Sequence, residues 1–262
     1  FAFLNFCHAH EIYLPPCPFD VQFGPKRPRG PFVYFANGGE RANRWKMSPA
    51  DIQVELNAYD GAVSYIDHHL GLLLDKLNAE GALENTLIII TSDHGEQFGE
   101  HGLLEHGNSL YLPLLHVPLL ISLPSRVPAG VTVAEPVSLR DLAATVLELV
   151  GIENKTQLPG ISLARYWDKK RYVENRQRYD VVSEVTRLEV QQTLAGKSLP
   201  SARMRSLVVG RYHYIRTGDG GEELYNVEID SGEEHDLSGS EKGREMLQQF
   251  RTYLKTVSAT DN

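Results

Sequence analysis

Cysteine is scarce in this sequence, with only Cys7 and Cys17 among 262 residues. Two thiols do not provide the disulfide framework of a small secreted domain, so the fold has to depend on an apolar core. They also leave the redox compartment undetermined. We expect both side chains to be free and buried, which is the common state of cysteine in proteins.

Long apolar runs and an excess of positive charge are also missing. No stretch reaches the roughly 20 apolar residues that a membrane-spanning helix requires. The formal net charge of -8 argues against a surface for nucleic acid or anionic membranes. No signal peptide precedes Phe1, and the chain opens on an apolar segment already under way, as expected for a portion of a longer polypeptide. Its 42% of hydrophobic residues can form a sizeable core, in one large or two modest domains.

The most informative stretch is an apolar run that ends at Asp93, His94 and Gly95. Leu87–Ile90 contains four apolar residues, three of them β-branched, and predicts a strand buried on both faces of a parallel sheet. Ligands bind beyond the carboxyl ends of such strands, and a carboxylate beside an imidazole suits a divalent metal ion. Gly95 would permit the bend that brings both side chains to one ion. The alternative is a hydrogen-bonded Asp–His pair in a loop.

Histidines and glycines follow this strand closely. His101 and His106 each stand beside a glycine, which lets backbone approach a ligand, and a second apolar strand begins after His116. Together, TSDHGEQFGEHGLLEHGNSLY (residues 91–111) and HVPLLI (residues 116–121) resemble the sulfatase family of the alkaline phosphatase superfamily. The match is specific because it is long and ordered. It implies an α/β fold like that of alkaline phosphatase, and a metal-dependent ester hydrolase.

A second point of resemblance lies near the start of the chain. The apolar segment Phe1–Phe6 predicts a strand. The polar residues and prolines of the following segment, HAHEIYLPP (residues 8–16), would end it. This resembles the sulfatase segment in which a strand ends in an Ala-His pair, and it implies that His10 contacts the ester group or its leaving oxygen. His8 stands where the family more often has an acid, which weakens any role for it. The alternative for His10 is an ordinary loop histidine.

Residues 20–47 predict a long loop, because they are rich in proline, glycine and basic residues without sustained periodicity. Such a loop would form one wall of a substrate cleft. Its arginines either meet an anionic substrate or, as we favour, are simply solvated: Arg27, Arg29, Arg41 and Arg44.

The remaining patterns predict an α/β domain followed by a smaller subdomain. Ser48 begins an amphipathic helix that Gly81 ends, and a shorter helix ends at Val150. After residue 166, short strands alternate with turns before a final helix, and ELYNVEIDSGEEHDL (residues 223–237) resembles a sulfatase stretch. We therefore predict a mixed or parallel sheet flanked by helices in residues 1–165, and an antiparallel sheet with a helix in residues 166–262.

The resemblance covers nearly the whole chain but only the downstream half of a sulfatase. In that family the nucleophile is a formylglycine made from Cys or Ser in a C/S-x-P-x-R motif, and acidic metal ligands lie near the N-terminus. Neither Cys7 nor Cys17 stands in that motif. We therefore expect a truncated or processed portion, inactive alone, that works with the missing N-terminal portion of the same enzyme on a sulfate-ester or phosphate-ester small molecule or glycan. The compartment stays open among secreted, periplasmic and lysosomal locations.

The resemblance assigns metal ligation to Asp93 and His94 and leaves two roles for His106. Many sulfatases place a lysine there to hold sulfate, whereas phosphatase relatives use a histidine as a further metal ligand. A neutral imidazole lacks the fixed charge of lysine, because its unperturbed pKa is about 6.5. One calcium ion would favour a sulfuric-ester hydrolase, our first hypothesis. Two zinc or manganese ions would favour a phosphoric or phosphonic ester hydrolase or a phosphotransferase. A non-catalytic binding or scaffold domain is the third hypothesis.

Overall fold

The structure, a computed structural model, describes residues 1–26, 47–153, 155, 158–168, 180–187, 191–199 and 202–260. Arg27, Arg29, Arg41 and Arg44 of the predicted cleft wall lie outside these residues. None of the described helices is both long enough and apolar enough to cross a membrane. The described α-helices are α1 (Pro49–Ala79), α2 (Leu112–Leu115), α3 (Leu142–Leu149) and α4 (Glu241–Thr260). The described strands are β1 (Ile88–Thr91), β2 (Gln97–Phe98), β3 (Leu104–Glu105), β4 (Leu119–Ser122), β5 (Val181–Arg187), β6 (Gln191–Gln192), β7 (Ser198–Leu199), β8 (Ala202–Val209), β9 (Tyr212–Thr217) and β10 (Glu222–Asn226).

The chain forms two compact units. The first comprises Phe1–Leu83, Glu96–Glu105 and Val190–Leu199, and the second comprises Glu84–Gly95, His106–Glu189 and Pro200–Asn262. This division does not coincide with the predicted boundary between residues 165 and 166. The reason is that the segment with β6 and β7 packs within the first unit, where the Leu194 N–H donates to the Gly102 carbonyl at 2.8 Å.

In the first unit, α1 begins where the sequence predicts. Ser48 is its N-cap and forms a capping box with Asp51, whose N–H donates to Ser48 Oγ at 3.2 Å while its carboxylate accepts the Ser48 N–H at 2.9 Å. These hydrogen bonds hold the pKa of Asp51 below its usual value. Gly81, at φ 68°, turns the chain beyond the helix. The predicted N-cap and terminal glycine are confirmed.

Small residues, rather than the predicted apolar stripe, form the most buried face of α1. Ala58, Gly61 and Ala62 are buried, whereas Val63, one of the apolar residues whose spacing of three and four predicts the buried face, is exposed. A Cβ at Gly61 would lie only 2.4 Å from the Phe19 carbonyl oxygen. The turn Phe19–Val21 therefore packs on the helix at a distance that excludes a larger residue at position 61.

The two glycines inside α1 should respond in opposite ways to alanine. Gly71→Ala should raise the free energy of unfolding by about 0.5–1 kcal/mol, because a Cβ there has no neighbour within 4 Å and alanine is the better helix former. Gly61→Ala should lower it, because the new methyl group meets the Phe19 carbonyl. Urea titration of both variants measures the effect, and an increase in stability for Gly61→Ala would contradict the packing described here.

Two predictions for the start of the chain are wrong. Phe1–Phe6 forms no strand, because no described strand pairs with it, and Phe1 and Phe3 are exposed. Cys7 and Cys17 are free, as predicted, but they are exposed rather than buried. Cys7 lies in the exposed turn Cys7–Ala9, which follows extended backbone at Phe6.

In the second unit, β1 pairs with β4, and the pairing is antiparallel. Every strand pair among the described residues is antiparallel, so the predicted parallel sheet is not formed by this part of the chain. The apolar run indicated burial but not strand direction, and the Ile88–Ile90 side chains are in fact only half-buried. What is confirmed is that the strand ends before Asp93.

The predicted C-terminal subdomain architecture is present as a four-stranded antiparallel sheet with a helix. Its strand order is β10-β9-β8-β5. On one face Leu207, Tyr214 and Leu224 pack against α4, which contributes Leu247, Phe250 and Leu254 to the core. The terminal helix was predicted from the spacing of its apolar residues, and the four main strands were predicted as short segments between turns rich in glycine and aspartate.

The opposite face of this sheet supports the segment before α2. Leu110 packs with Met204, Ile215 and Tyr225 in a second buried cluster. The Tyr111 hydroxyl donates to Glu223 at 2.9 Å, and burial, followed by this carboxylate, raises the pKa of Tyr111. The sheet therefore fixes the start of α2, which in turn contacts the loop after β1.

The predicted helix ending near Val150 is α3, preceded by a turn that Ser138 caps. A buried ion pair links Asp141, at the N-terminus of α3, to Arg165, which follows the helix in the chain. Arg165 Nη2 and Asp141 Oδ2 are 2.8 Å apart. Asp141 Oδ1 also accepts the Ile161 N–H at 3.0 Å. The carboxylate thus accepts from two donors, and a buried charged group requires such hydrogen-bond partners.

Candidate metal centre

The loop after β1 is folded by its own side chains. Thr91 Oγ1 donates to the Pro118 carbonyl at 2.8 Å, which ties the end of β1 to the start of β4. Ser92 Oγ donates to the His94 carbonyl at 2.6 Å and closes a tight bend. Asp93 projects from this bend with 90% of its side chain exposed. A carboxylate held on a bend at the edge of a strand pair is accessible to a ligand.

The imidazole of His94 is oriented for ligation. Its Nδ1 lies 2.8 Å from the Gly95 carbonyl oxygen. A carbonyl oxygen only accepts, so Nδ1 carries the proton and Nε2 carries the lone pair. A hydrogen bond of this kind from the second ring nitrogen is typical of metal-ligating histidines.

The donor set of Asp93 and His94 fits a divalent ion. Asp93 Oδ2 and His94 Nε2 are 3.9 Å apart. Two atoms that each bind one ion at about 2.0–2.4 Å lie at most about 4.8 Å apart, so this pair meets the limit without rearrangement. Calcium prefers oxygen ligands, so a pair that includes an imidazole is less specific for calcium than a set of oxygen ligands would be. The same pair also suits zinc and manganese.

His106 lies against His94. The two imidazole rings stack with centroids 4.1 Å apart and an interplanar angle of 26°. Both histidines, together with Asp93, contribute to the lining of an open cleft of about 1980 Å³ in the second unit. The structure thus brings three of the four predicted site residues together within one unit.

Gly95 serves a different purpose from the predicted one. Its φ is not in the left-handed region, but a Cβ would lie 1.9 Å from the Pro113 carbonyl oxygen. The Gly95 N–H donates to the Leu114 carbonyl at 2.8 Å. Glycine is therefore required by the close approach of α2 to this loop rather than by the bend itself.

His10, the fourth predicted residue, belongs to the first unit. It follows the turn Cys7–Ala9 and is exposed, and its Nδ1 lies 2.8 Å from the Glu11 carbonyl oxygen. As at His94, this hydrogen bond places the proton on Nδ1 and the lone pair on Nε2. The ester-binding role of His10 stays a prediction.

Two acidic residues near the predicted motifs were not singled out from the sequence. In the first unit, Glu96 accepts a hydrogen bond of 2.7 Å from the buried Tyr13 hydroxyl, and burial, then the Glu96 charge, raises the pKa of Tyr13. In the second unit, the buried Glu233 accepts the Leu112 N–H at 2.7 Å. Glu233 is followed by Glu234 and, after one histidine, by Asp236. No local sequence pattern indicates which of these carboxylates is buried and which is solvated.

Comparison with known proteins shows what this chain is similar to. The family model described as Sulfatase matches residues 2–152, more than half of the chain. A second model, described as N-sulphoglucosamine sulphohydrolase, C-terminal, matches residues 99–260. A protein named Sulfatase from Formosa agariphila is 26% identical over 219 residues, which are 84% of this chain and 39% of that protein. An N-acetylglucosamine-6-O-sulfatase from Bacteroides thetaiotaomicron is 34% identical over 126 residues, which are 48% of this chain and 21% of that protein.

Solved structures share the fold. A 2-O GAG sulfatase superposes with a TM-score of 0.72 at 22% identity, covering 84% of this chain and 46% of that chain. The phosphonate monoester hydrolase SpPMH from Silicibacter pomeroyi superposes with a TM-score of 0.67 at 26% identity, covering 82% of this chain and 43% of that chain. The chain therefore spans less than half the length of each of these four proteins.

Proposed function

This chain belongs to the sulfatase family, and from that membership we propose that it carries part of the metal site of a sulfuric-ester hydrolase. The observation that carries the proposal is the pairing of Asp93 with His94, 3.9 Å apart beyond a strand end, with the His94 lone pair on Nε2. In this proposal Asp93 and His94 ligate a divalent ion, most simply calcium. The bound ion would supply positive charge beside the ester oxygens that become more negative in the transition state.

We propose that His10 and His106 contact the ester group. The Nε2 atom of His10 accepts a hydrogen bond or, when protonated, donates one to the leaving oxygen, as its tautomer permits. His106 would present its imidazole to the anion from beside His94. The nucleophile, a formylglycine in this hypothesis, would come from an N-terminal portion of the same enzyme, because neither cysteine here stands in the required motif. The serine form of the motif does occur, as Ser122-Leu123-Pro124-Ser125-Arg126, but it lies downstream of Asp93 and His94, whereas the resemblance places the nucleophile upstream of them. The chain alone would then be inactive.

A sulfated sugar is the substrate class we propose. Support comes from the relative named N-acetylglucosamine-6-O-sulfatase, at 34% identity over 126 residues. The test is hydrolysis by the polypeptide that contains this chain together with its upstream region, with glucosamine 6-sulfate, an aryl sulfate and a phosphonate monoester compared side by side. Cleavage of the sugar sulfate with one bound calcium ion would support the proposal. Failure to cleave any ester, with no bound metal, would favour the scaffold hypothesis.

A phosphonic or phosphoric ester hydrolase is the second candidate, since His106 and the similarity to a phosphonate monoester hydrolase both favour it. In that case His106 would ligate a second ion, and zinc or manganese would bind in place of calcium. Preferential cleavage of the phosphonate monoester, with two ions bound, would support this candidate and contradict the first.

The variant His106→Lys should separate these two candidates. In a sulfatase, lysine supplies a fixed charge to the sulfate, so activity on the sulfate ester should stay within about tenfold of the original. In a two-metal hydrolase the variant loses a ligand, and we expect activity on the phosphonate to fall by more than about 100-fold. Both are measured as kcat/KM. His235→Lys is the matched control, because His235 is exposed and its Nδ1 lies 3.6 Å from Asp230 Oδ1, a carboxylate that a lysine side chain can also approach.

A further inference from the structure

A buried carboxylate links the C-terminal sheet to α2. Glu233 and His213 are among the most deeply buried side chains, with exposed fractions of 1% and 0%. Glu233 Oε1 lies 2.5 Å from His213 Nδ1 on β9, and Oε2 accepts the N–H of Leu112, the first residue of α2, at 2.7 Å. One carboxylate therefore uses both of its oxygens, one on the sheet and one on the helix.

Two hydrogen bonds, one between backbone groups and one from the His94 ring to a backbone carbonyl, lead from α2 to His94. The Leu114 carbonyl accepts the Gly95 N–H at 2.8 Å, and the Gly95 carbonyl accepts from His94 Nδ1 at 2.8 Å. Because α2 is a single turn, a displacement of Leu112 reaches Leu114 without being absorbed along the helix. The orientation of the His94 ring therefore depends on the position of the Glu233 carboxylate.

Glu233 occupies its position at a cost to stability. Its φ is 55°, in the left-handed region that disfavours residues other than glycine. Its carboxylate is removed from water, which an ion pair seldom repays in full. The turn is folded around Asp230, whose carboxylate oxygens accept the N–H groups of Glu234 and His235 at 3.0 and 2.9 Å. An apolar residue at this position would leave the His213 and Leu112 donors without an acceptor, so the side chain is held in this strained turn by its contacts with both.

We propose that Glu233 is a positioning residue for His94 and that His213 holds the Glu233 carboxylate in place. As a statement about metal affinity, this inference rests on the proposed metal site. As a statement about the loop, it concerns the Gly95–Leu114 hydrogen bond, which is measurable without metal.

The chemistry of the pair suggests the variants. Nδ1 of His213 and the Leu112 N–H both donate to the Glu233 carboxylate, while His213 Nε2 makes no hydrogen bond with any described residue. Glu233→Gln could be accommodated, because its oxygen can accept the Leu112 N–H while its NH₂ group donates to Nδ1 of the other His213 tautomer, whose proton lies on the unpartnered Nε2. Glu233→Leu removes both oxygens and leaves both donors without an acceptor. His213→Asn places an amide nitrogen near the position of Nδ1 and keeps the donor, whereas His213→Gln places its amide near Nε2.

The deciding measurement is amide hydrogen exchange at Gly95 in the metal-free chain, followed by calorimetric titration with calcium chloride. Glu233→Leu should accelerate Gly95 exchange by about tenfold or more, and it should raise the calcium Kd by about tenfold. Glu222→Leu is the matched control in the same sheet, because Glu222 accepts from Tyr214 and from Arg251 Nε, at 2.6 and 2.7 Å, and neither of these donors lies on α2. It should leave both quantities unchanged.

Equal Gly95 exchange in Glu233→Leu and Glu222→Leu, whatever their stability, would overturn the proposal. If Glu233→Leu does not fold, the His213 variants decide. Slow Gly95 exchange in His213→Asn with fast exchange in His213→Gln supports positioning, and equal exchange overturns it. A failure of the metal site would appear separately, as an unchanged calcium affinity in Asp93→Ala.

Discussion

Replacing Asp93 with alanine is expected to abolish calcium binding by the isolated chain. The wild-type chain should bind weakly, because a carboxylate and an imidazole fill only two of the roughly six to eight ligand positions of calcium. Removing one of the two remaining ligands should then weaken binding by more than about 100-fold, since loss of an outer-shell partner alone typically costs 10–100-fold. The carboxylate is 90% exposed and lies beyond the end of β1, so its removal should leave the free energy of unfolding nearly unchanged. Calorimetric titration of both proteins with calcium chloride measures the difference.

The chain contains its own control for this experiment. Asp67 and His68 form the same dipeptide in the middle of α1, where both are exposed. Asp67→Ala removes the same charge from a carboxylate that precedes a histidine, but without a strand end or a fixed imidazole tautomer. Calcium affinity should therefore be unchanged in Asp67→Ala. If Asp93→Ala also left the affinity unchanged, the metal site proposed for this chain would be abandoned.

The parts of the fold that sequence predicts well are those determined by neighbours along the chain. The Ser48 and Asp51 residues of the capping box are three positions apart, and the strands of the C-terminal sheet are each bounded by turn residues within a few positions. Asp93 and His94 were found for the same reason, since they directly follow an apolar run. Each of these features is specified by a local pattern, so one sequence is enough to detect it.

The parts that sequence does not predict are set by contacts between distant segments. Leu112 and Glu233 are separated by 121 positions, and no local sequence pattern around either residue predicts their hydrogen bond. The antiparallel pairing of β1 with β4 depends on how the intervening chain returns, which an apolar run does not encode. Gly95 illustrates the difference most directly. The sequence suggested a glycine that bends the chain, whereas the structure has a glycine that admits a neighbouring helix.

That close approach makes Gly95→Ala a substitution with a large expected cost in stability. The new Cβ would stand 1.9 Å from the Pro113 carbonyl oxygen and 3.0 Å from its carbon, both of them backbone atoms that no side-chain rotation can move aside. Either α2 shifts or the loop does, and in both cases the Gly95–Leu114 hydrogen bond of 2.8 Å is lost. Overpacking and the lost hydrogen bond together should lower the free energy of unfolding by about 3 kcal/mol. Urea titration measures this loss.

Gly130→Ala separates the steric effect from the general cost of adding a side chain to glycine. Gly130 has φ 73° and no neighbour within 4 Å of its Cβ position, so alanine there should cost only the backbone strain of about 1 kcal/mol. Calcium affinity should fall in Gly95→Ala, because the Gly95 carbonyl orients His94, and should be unchanged in Gly130→Ala. Equal losses of stability in the two variants would contradict the tight contact with α2. Loss of stability without loss of calcium affinity in Gly95→Ala would instead mean that α2 moves while the His94 loop keeps its geometry.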